Sequence, residues 1–142
     1  MSKFWSGWLS VWCAVVLAFG AFLALAAVPA LDGGVRFVLS LFSGGSVPPE
    51  ALDQPIVRFG IGLQGALTLG WGLTMMALID AAKTLGAPMW RKLTIALVVW
   101  YVVDSAISIV TGLTLNAGSN TVLMAGYLIP VLVSGVLRDQ RA

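Results

Sequence analysis

The chain has 142 residues, 59% of them hydrophobic and 10% charged, with a formal net charge of +2 and a mean hydropathy of +0.97. Soluble domains run at about 25% charged and about 45–50% apolar residues; this chain cannot cover itself with polar groups, so lipid must solvate much of it, with no room for a separate soluble domain. The absence of histidine and the single cysteine, Cys13, exclude His-ligated zinc or haem, His general-base chemistry and an internal disulfide relay, and so small a net charge gives no sign of a nucleic-acid partner.

The predicted fold is all-α: a polytopic, four-helix antiparallel transmembrane bundle forming one domain over residues 1–142. A span needs about 20 apolar residues. The first runs from Leu9 to Leu31, preceded by Trp5 and Trp8 at the headgroup level. Its Ala24-Leu25-Ala26 resembles a signal-peptide cleavage site. However, the apolar stretch exceeds the usual apolar core of about 7–15 residues, and one basic residue precedes it, so a retained span is expected.

Between Gly33-Gly34 and Gly44-Gly45, residues 35–42 fit a short outer interfacial helix with Phe37, Val38, Leu41 and Phe42 on one side and Arg36 and Ser40 on another. Residues 46–55 hold three prolines and two acids and read as an extended surface loop. The second span is 56–79. It is rich in glycine, and Gly60, Gln64, Thr68 and Gly72 follow at four-residue steps. Such a stripe serves as a helix-packing seam, carried here by Gly60, Gly65 and Gly72, or as the wall of a pocket in which Gln64 and Thr68 offer hydrogen bonds. The spacing Gly60-x-Gly62-x-x-Gly65 matches a dinucleotide fingerprint only by letter, because it lies inside an apolar span.

The third span, 93–115, carries Tyr101, Asp104, Ser108 and Thr111 within one face. Asp104 is the only acid in any span; a carboxyl near mid-membrane is satisfied by a neighbour, kept protonated, or used. The polar face of this helix is expected to meet the glycine stripe, with Asp104 bonded to Gln64, Thr68 or Tyr101. A short link, Asn116–Asn120, leads to the fourth span, 121–137, with Ser119 or Asn120 as its cap. Pro130 removes a donor there and frees the carbonyl of Gly126.

Lys3, Lys83, Arg91, Lys92, Arg138 and Arg141 fall on one side of this topology and Arg36 and Arg58 on the other, which places both termini in the cytoplasm. Arg58 and Arg36 are interfacial cations, or together an anion or headgroup site at the outer surface. No Ser-His pair, paired carboxylates, Cys-x-x-Cys or intramembrane lysine occurs, so neither enzymatic activity nor a metal or cofactor is expected.

The strings Gly70-Trp71-Gly72-Leu73-Thr74, Trp100-Tyr101-Val102-Val103-Asp104-Ser105 and Leu115-Asn116-Ala117-Gly118-Ser119-Asn120-Thr121 resemble those of a family of small four-helix bacterial inner-membrane proteins of unassigned function. The resemblance covers most of the chain and implies a bacterial cytoplasmic membrane. The four-span layout is also similar to DoxX-type proteins, in architecture only.

Three functions remain. The first is a non-enzymatic accessory or interaction subunit, or a homo-oligomer, packing through its glycine-rich faces against other membrane proteins or itself. The second is a small proton-linked transporter or channel using Asp104. The third is a lipid- or quinone-binding protein whose head-group contacts come from Tyr101 and Asp104.

Overall fold

The computed structural model describes residues 1–138. Among them every regular element is helical: α1 (Lys3–Ala24), α2 (Gly33–Phe42), α3 (Pro55–Leu85), α4 (Ala87–Val110) and α5 (Thr114–Val133), with 3-10 turns at Leu25–Ala27 and Pro49–Asp53. The four long helices, α1 extended by its 3-10 turn, are long and apolar enough to cross a membrane. Arg141, counted in the charge balance above, lies outside the described residues.

The boundaries differ from the sequence expectation in an informative way. Ser2 caps α1, its hydroxyl accepting from the Trp5 amide at 3.3 Å, so Trp5 and Trp8 sit inside the helix rather than before it. Pro55 opens α3 at a position where a missing N–H costs nothing. Gly86, at φ +76°, breaks α3 from α4. The turn after α4 is made at Gly112, φ +81°, a backbone that glycine adopts without penalty. The link is therefore 111–113. Asn116–Asn120, read above as the link, forms the first turns of α5, and neither Ser119 nor Asn120 is its cap.

The helices associate in two tight pairs. Leu17, Gly20, Ala24 and Ala27 of the first segment meet Gly72, Leu69, Gly65 and Gly62 of α3, the contacts climbing one chain as they descend the other. At Gly20 and Gly65 the two backbones all but touch. A Cβ at Gly20 would stand 2.5 Å from the Leu69 nitrogen, and one at Gly65 would stand 2.7 Å from the Gly20 oxygen. α4 and α5 run past each other in the same opposed sense, from Asp104 against Asn116 to Arg91 against Leu137.

Two cores result. Near the chain termini all four long helices contribute: Leu9, Trp12 and Val16; Met75, Ile79 and Ala82; Trp90, Leu93 and Leu97; Met124, Tyr127 and Val131. At the other end a smaller core joins Leu23, Ala26, Val35 and Leu52 beneath α2. Trp12, Trp71, Trp100 and Tyr127, one from each long helix, form a chain of ring contacts with centroids 5.0–6.0 Å apart. Outside, Val99, Val102, Val103 and Ile107 of α4 are each more than half exposed, a surface for which lipid tails are the favourable solvent.

Candidate functional site

Asp104 lies six residues before the end of α4, about 9 Å of helix rise. It therefore stands about halfway between the middle of the helix and its α2 end. Its neighbour is α5, not α3: the Asn120 amide nitrogen is 2.7 Å from Oδ1 and that of Asn116 is 3.1 Å. Both amides turn their NH₂ groups toward this oxygen and donate to it. Ser108 Oγ stands 3.3 Å from the same oxygen but 2.8 Å from the Asp104 carbonyl. One hydroxyl proton cannot serve both, and the shorter contact is the backbone one. The Ser108 oxygen in turn accepts from Asn116 at 2.8 Å.

Ser108 and Asn120 are buried, at 3% and 4% exposure, while Asp104 is half-buried. Asn116 and Asn120 lie in the first two turns of α5, so the start of that helix holds the Asp104 side chain. The expectation that Asp104 bonds to Gln64, Thr68 or Tyr101 is corrected. Tyr101 instead pairs its hydroxyl with Thr121 at 3.1 Å. Gln64 is exposed and Thr68 half-buried, and neither side chain has a hydrogen-bond partner among the described residues. Thr111 bonds back to its own helix.

The remaining rungs between α4 and α5 are also polar. Thr94 pairs with the Tyr127 hydroxyl at 3.0 Å, and Arg91 Nε donates to the Leu137 carbonyl at 2.9 Å. The Gly126 carbonyl, freed by Pro130, accepts from the Trp8 indole at 2.8 Å, and Trp12 donates to the Leu123 carbonyl at 2.9 Å. A Cβ at Gly126 would lie 3.0 Å from the Trp12 ring. Trp8, expected at the headgroup level, and Trp12 thus fasten α1 to the proline turn of α5. The signal for this was present: a carbonyl freed in an apolar helix demands a donor.

At the α2 end Arg36 and Arg58 share two carboxylates. Asp32, 4% exposed, accepts from Arg36 Nε and Nη2 at 2.9 Å each and from Arg58 at 2.8 Å. Asp53 lies 2.5 Å from Arg36 and 3.7 Å from Arg58. Each guanidinium also holds a backbone carbonyl, Pro49 for Arg36 and Ala26 for Arg58, at 2.6 Å. The Arg36 hydrogen bonds, with those of Arg58, hold the Asp32 carboxyl below its ordinary range against the opposing effect of burial. Two cations meeting two anions make a neutral clasp between α1, α2, the loop and α3, which leaves little field for an added anion. Sequence reading missed Asp32 as its centre.

Of the stripe glycines, Gly65 and Gly72 have α1 against them, whereas Gly60 faces open space. Cys13 is buried. Among the described residues no three His, Cys, Asp or Glu side chains gather as a metal site would require. Compared with known proteins, the chain matches no protein family, no curated protein and no solved structure.

Proposed function

We propose that this is an integral membrane protein of the bacterial inner membrane, a four-helix antiparallel bundle with both termini cytoplasmic. It acts without enzymatic chemistry, as an interaction subunit that binds another membrane protein or a second copy of itself. The observation that carries this reading is how Asp104 is used. Its carboxyl is taken up by Asn116 and Asn120 in locking the α4–α5 hairpin. The other acid in a span, Asp80, lies five residues from the end of α3, exposed and paired with Lys83 at 2.8 Å, so neither it nor any histidine stands beside Asp104 to receive a proton, and a relay needs such a group. The outward faces, by contrast, are broad and apolar, with an exposed amide at Gln64. A polar group inside a span gains from a partner helix. The resemblance of the three strings named above to those of small four-helix inner-membrane proteins is in keeping with this setting.

The test is purification in mild detergent with size measured by light scattering, alongside proton flux in proteoliposomes. A complex larger than one chain, and no flux in either wild type or Asp104→Asn, is expected. Wild-type flux that disappears in a folded Asp104→Asn protein would overturn the reading. It would favour the proton-linked alternative, which rests on the second Asp104 oxygen having no hydrogen-bond partner among the described residues.

A further inference from the structure

At the end of the molecule that carries the termini, a cavity of about 530 Å³ opens between the start of α1, the α3–α4 turn and the segment after α5. That volume falls within the range of about 300–1,000 Å³ typical of small-molecule sites. One side is apolar, with Leu85, Pro88 and Val136; the other presents Lys83, Arg138 and the Ser6 hydroxyl. Lys83 gives one donor to Asp80 at 2.8 Å and keeps two. The Arg138 side chain has no partner among the described residues. Arg91 clamps the Leu137 carbonyl, which fixes the turn that carries Val136 and Arg138 against the start of α4.

A second observation concerns the surroundings. Among the described residues, Lys3, Lys83, Arg91, Lys92 and Arg138 cluster at this end with Asp80 as their single acid, whereas the α2 end pairs its two arginines with Asp32 and Asp53. Among the described residues the excess of basic over acidic side chains thus gathers around one concave, half-apolar site. It lies where all four long helices begin or end, at the level that headgroups occupy if these helices cross a bilayer. Basic pockets of this kind between helix ends suit anionic lipid headgroups.

The geometry points to this cavity as a binding site for an anionic phospholipid, its phosphate on Lys83 and Arg138 and the start of its chains along Leu85, Pro88 and Val136. This rests on the membrane reading above but not on the choice of protein partner.

The experiment uses full-length protein in nanodiscs of phosphatidylcholine doped with phosphatidylglycerol. Retained lipid is counted by native mass spectrometry after release. Wild type should keep phosphatidylglycerol above its bulk fraction. Each basic residue near an anionic surface is worth about fivefold, so Lys83→Gln with Arg138→Gln should lower the apparent affinity about 30-fold. Lys92→Gln, outside the cavity, should lower it by no more than about fivefold, its share of the diffuse surface charge. Equal loss in Lys92→Gln would assign the effect to diffuse surface charge and overturn the site, as would full retention in the double variant. Displacement by excess inorganic phosphate would assign the cavity to a small soluble anion instead. Because insertion is checked first, by resistance to alkaline extraction, a protein that inserts but shows no lipid preference refutes this site alone. One that fails to insert refutes the membrane reading on which it stands.

Discussion

Gly20→Ala gives the sharpest test of how α1 and α3 are joined. The added methyl would lie 2.5 Å from the Leu69 nitrogen and 2.9 Å from both the Leu69 Cα and the Thr68 carbonyl carbon. Ordinary contact begins near 3.4 Å, so one backbone must retreat by about 0.9 Å. Overpacking of this kind costs about 1–3 kcal/mol. Because the obstacles are main-chain atoms that cannot rotate away, the upper part of that range applies. Alanine recovers about 1 kcal/mol of helix preference over glycine, leaving a net loss of about 1–2 kcal/mol. Gly60→Ala meets nothing within 4 Å and should gain up to about 1 kcal/mol. Gly72→Ala should fall between, because its obstacle is the flexible end of Leu17. Reversible unfolding by a denaturing detergent, followed by helical circular dichroism, orders the three variants. If Gly20→Ala proves as stable as Gly60→Ala, the close crossing of α1 and α3 is wrong.

Other outcomes follow from the polar contacts. Asp104→Leu strands the buried amide of Asn120, whereas Asn116 keeps Ser108 as an acceptor, and should cost about 1–3 kcal/mol; Asp104→Asn, which keeps an acceptor, should cost less in the same unfolding assay. Trp8→Phe removes the donor to the Gly126 carbonyl and should cost about 1 kcal/mol. In a Pro130→Ala background the loss should shrink, because the alanine introduced there supplies its own N–H; an unchanged loss in that double-mutant cycle would separate Trp8 from the proline. The clasp at Asp32 should be sensitive to acid. Its folded carboxyl titrates below the ordinary value of about 3.9. The stability it contributes is therefore complete above that pH and is lost as pH falls through the lowered folded value. Hydrogen exchange in residues 33–53 should rise over that acid range in wild type and lose the dependence in Asp32→Asn.

The long helices were legible because hydropathy depends on composition over many residues. Their ends and partners were not, because these turn on single positions. Asn116–Asn120 contains glycine, serine and two asparagines, the composition of a link, but Gly112 had already made the turn four residues earlier. That shift moved Asp104 from the middle of a span to about 9 Å from a helix end, and so brought α5, rather than the glycine stripe, beside it. The five glycines of the second span look equivalent in sequence. Only the crossing point with α1 separates Gly65 and Gly72 from Gly60, because close approach is a property of two chains. Asp32 and Arg36 stand four residues apart, a spacing that a local reading could have paired, but the arrival of Arg58 and Asp53 depends on a loop folding back between helices, which no local pattern encodes.

The row of rings through the bundle has an optical consequence. Trp12, Trp71, Trp100 and Tyr127 each belong to a different long helix and stand nearly in contact, so their transitions are coupled as in a small dye aggregate. The near-ultraviolet exciton signal then reports whether all four rods are assembled, and withdrawal of any one of them, in lipid or in detergent, would be visible without a label.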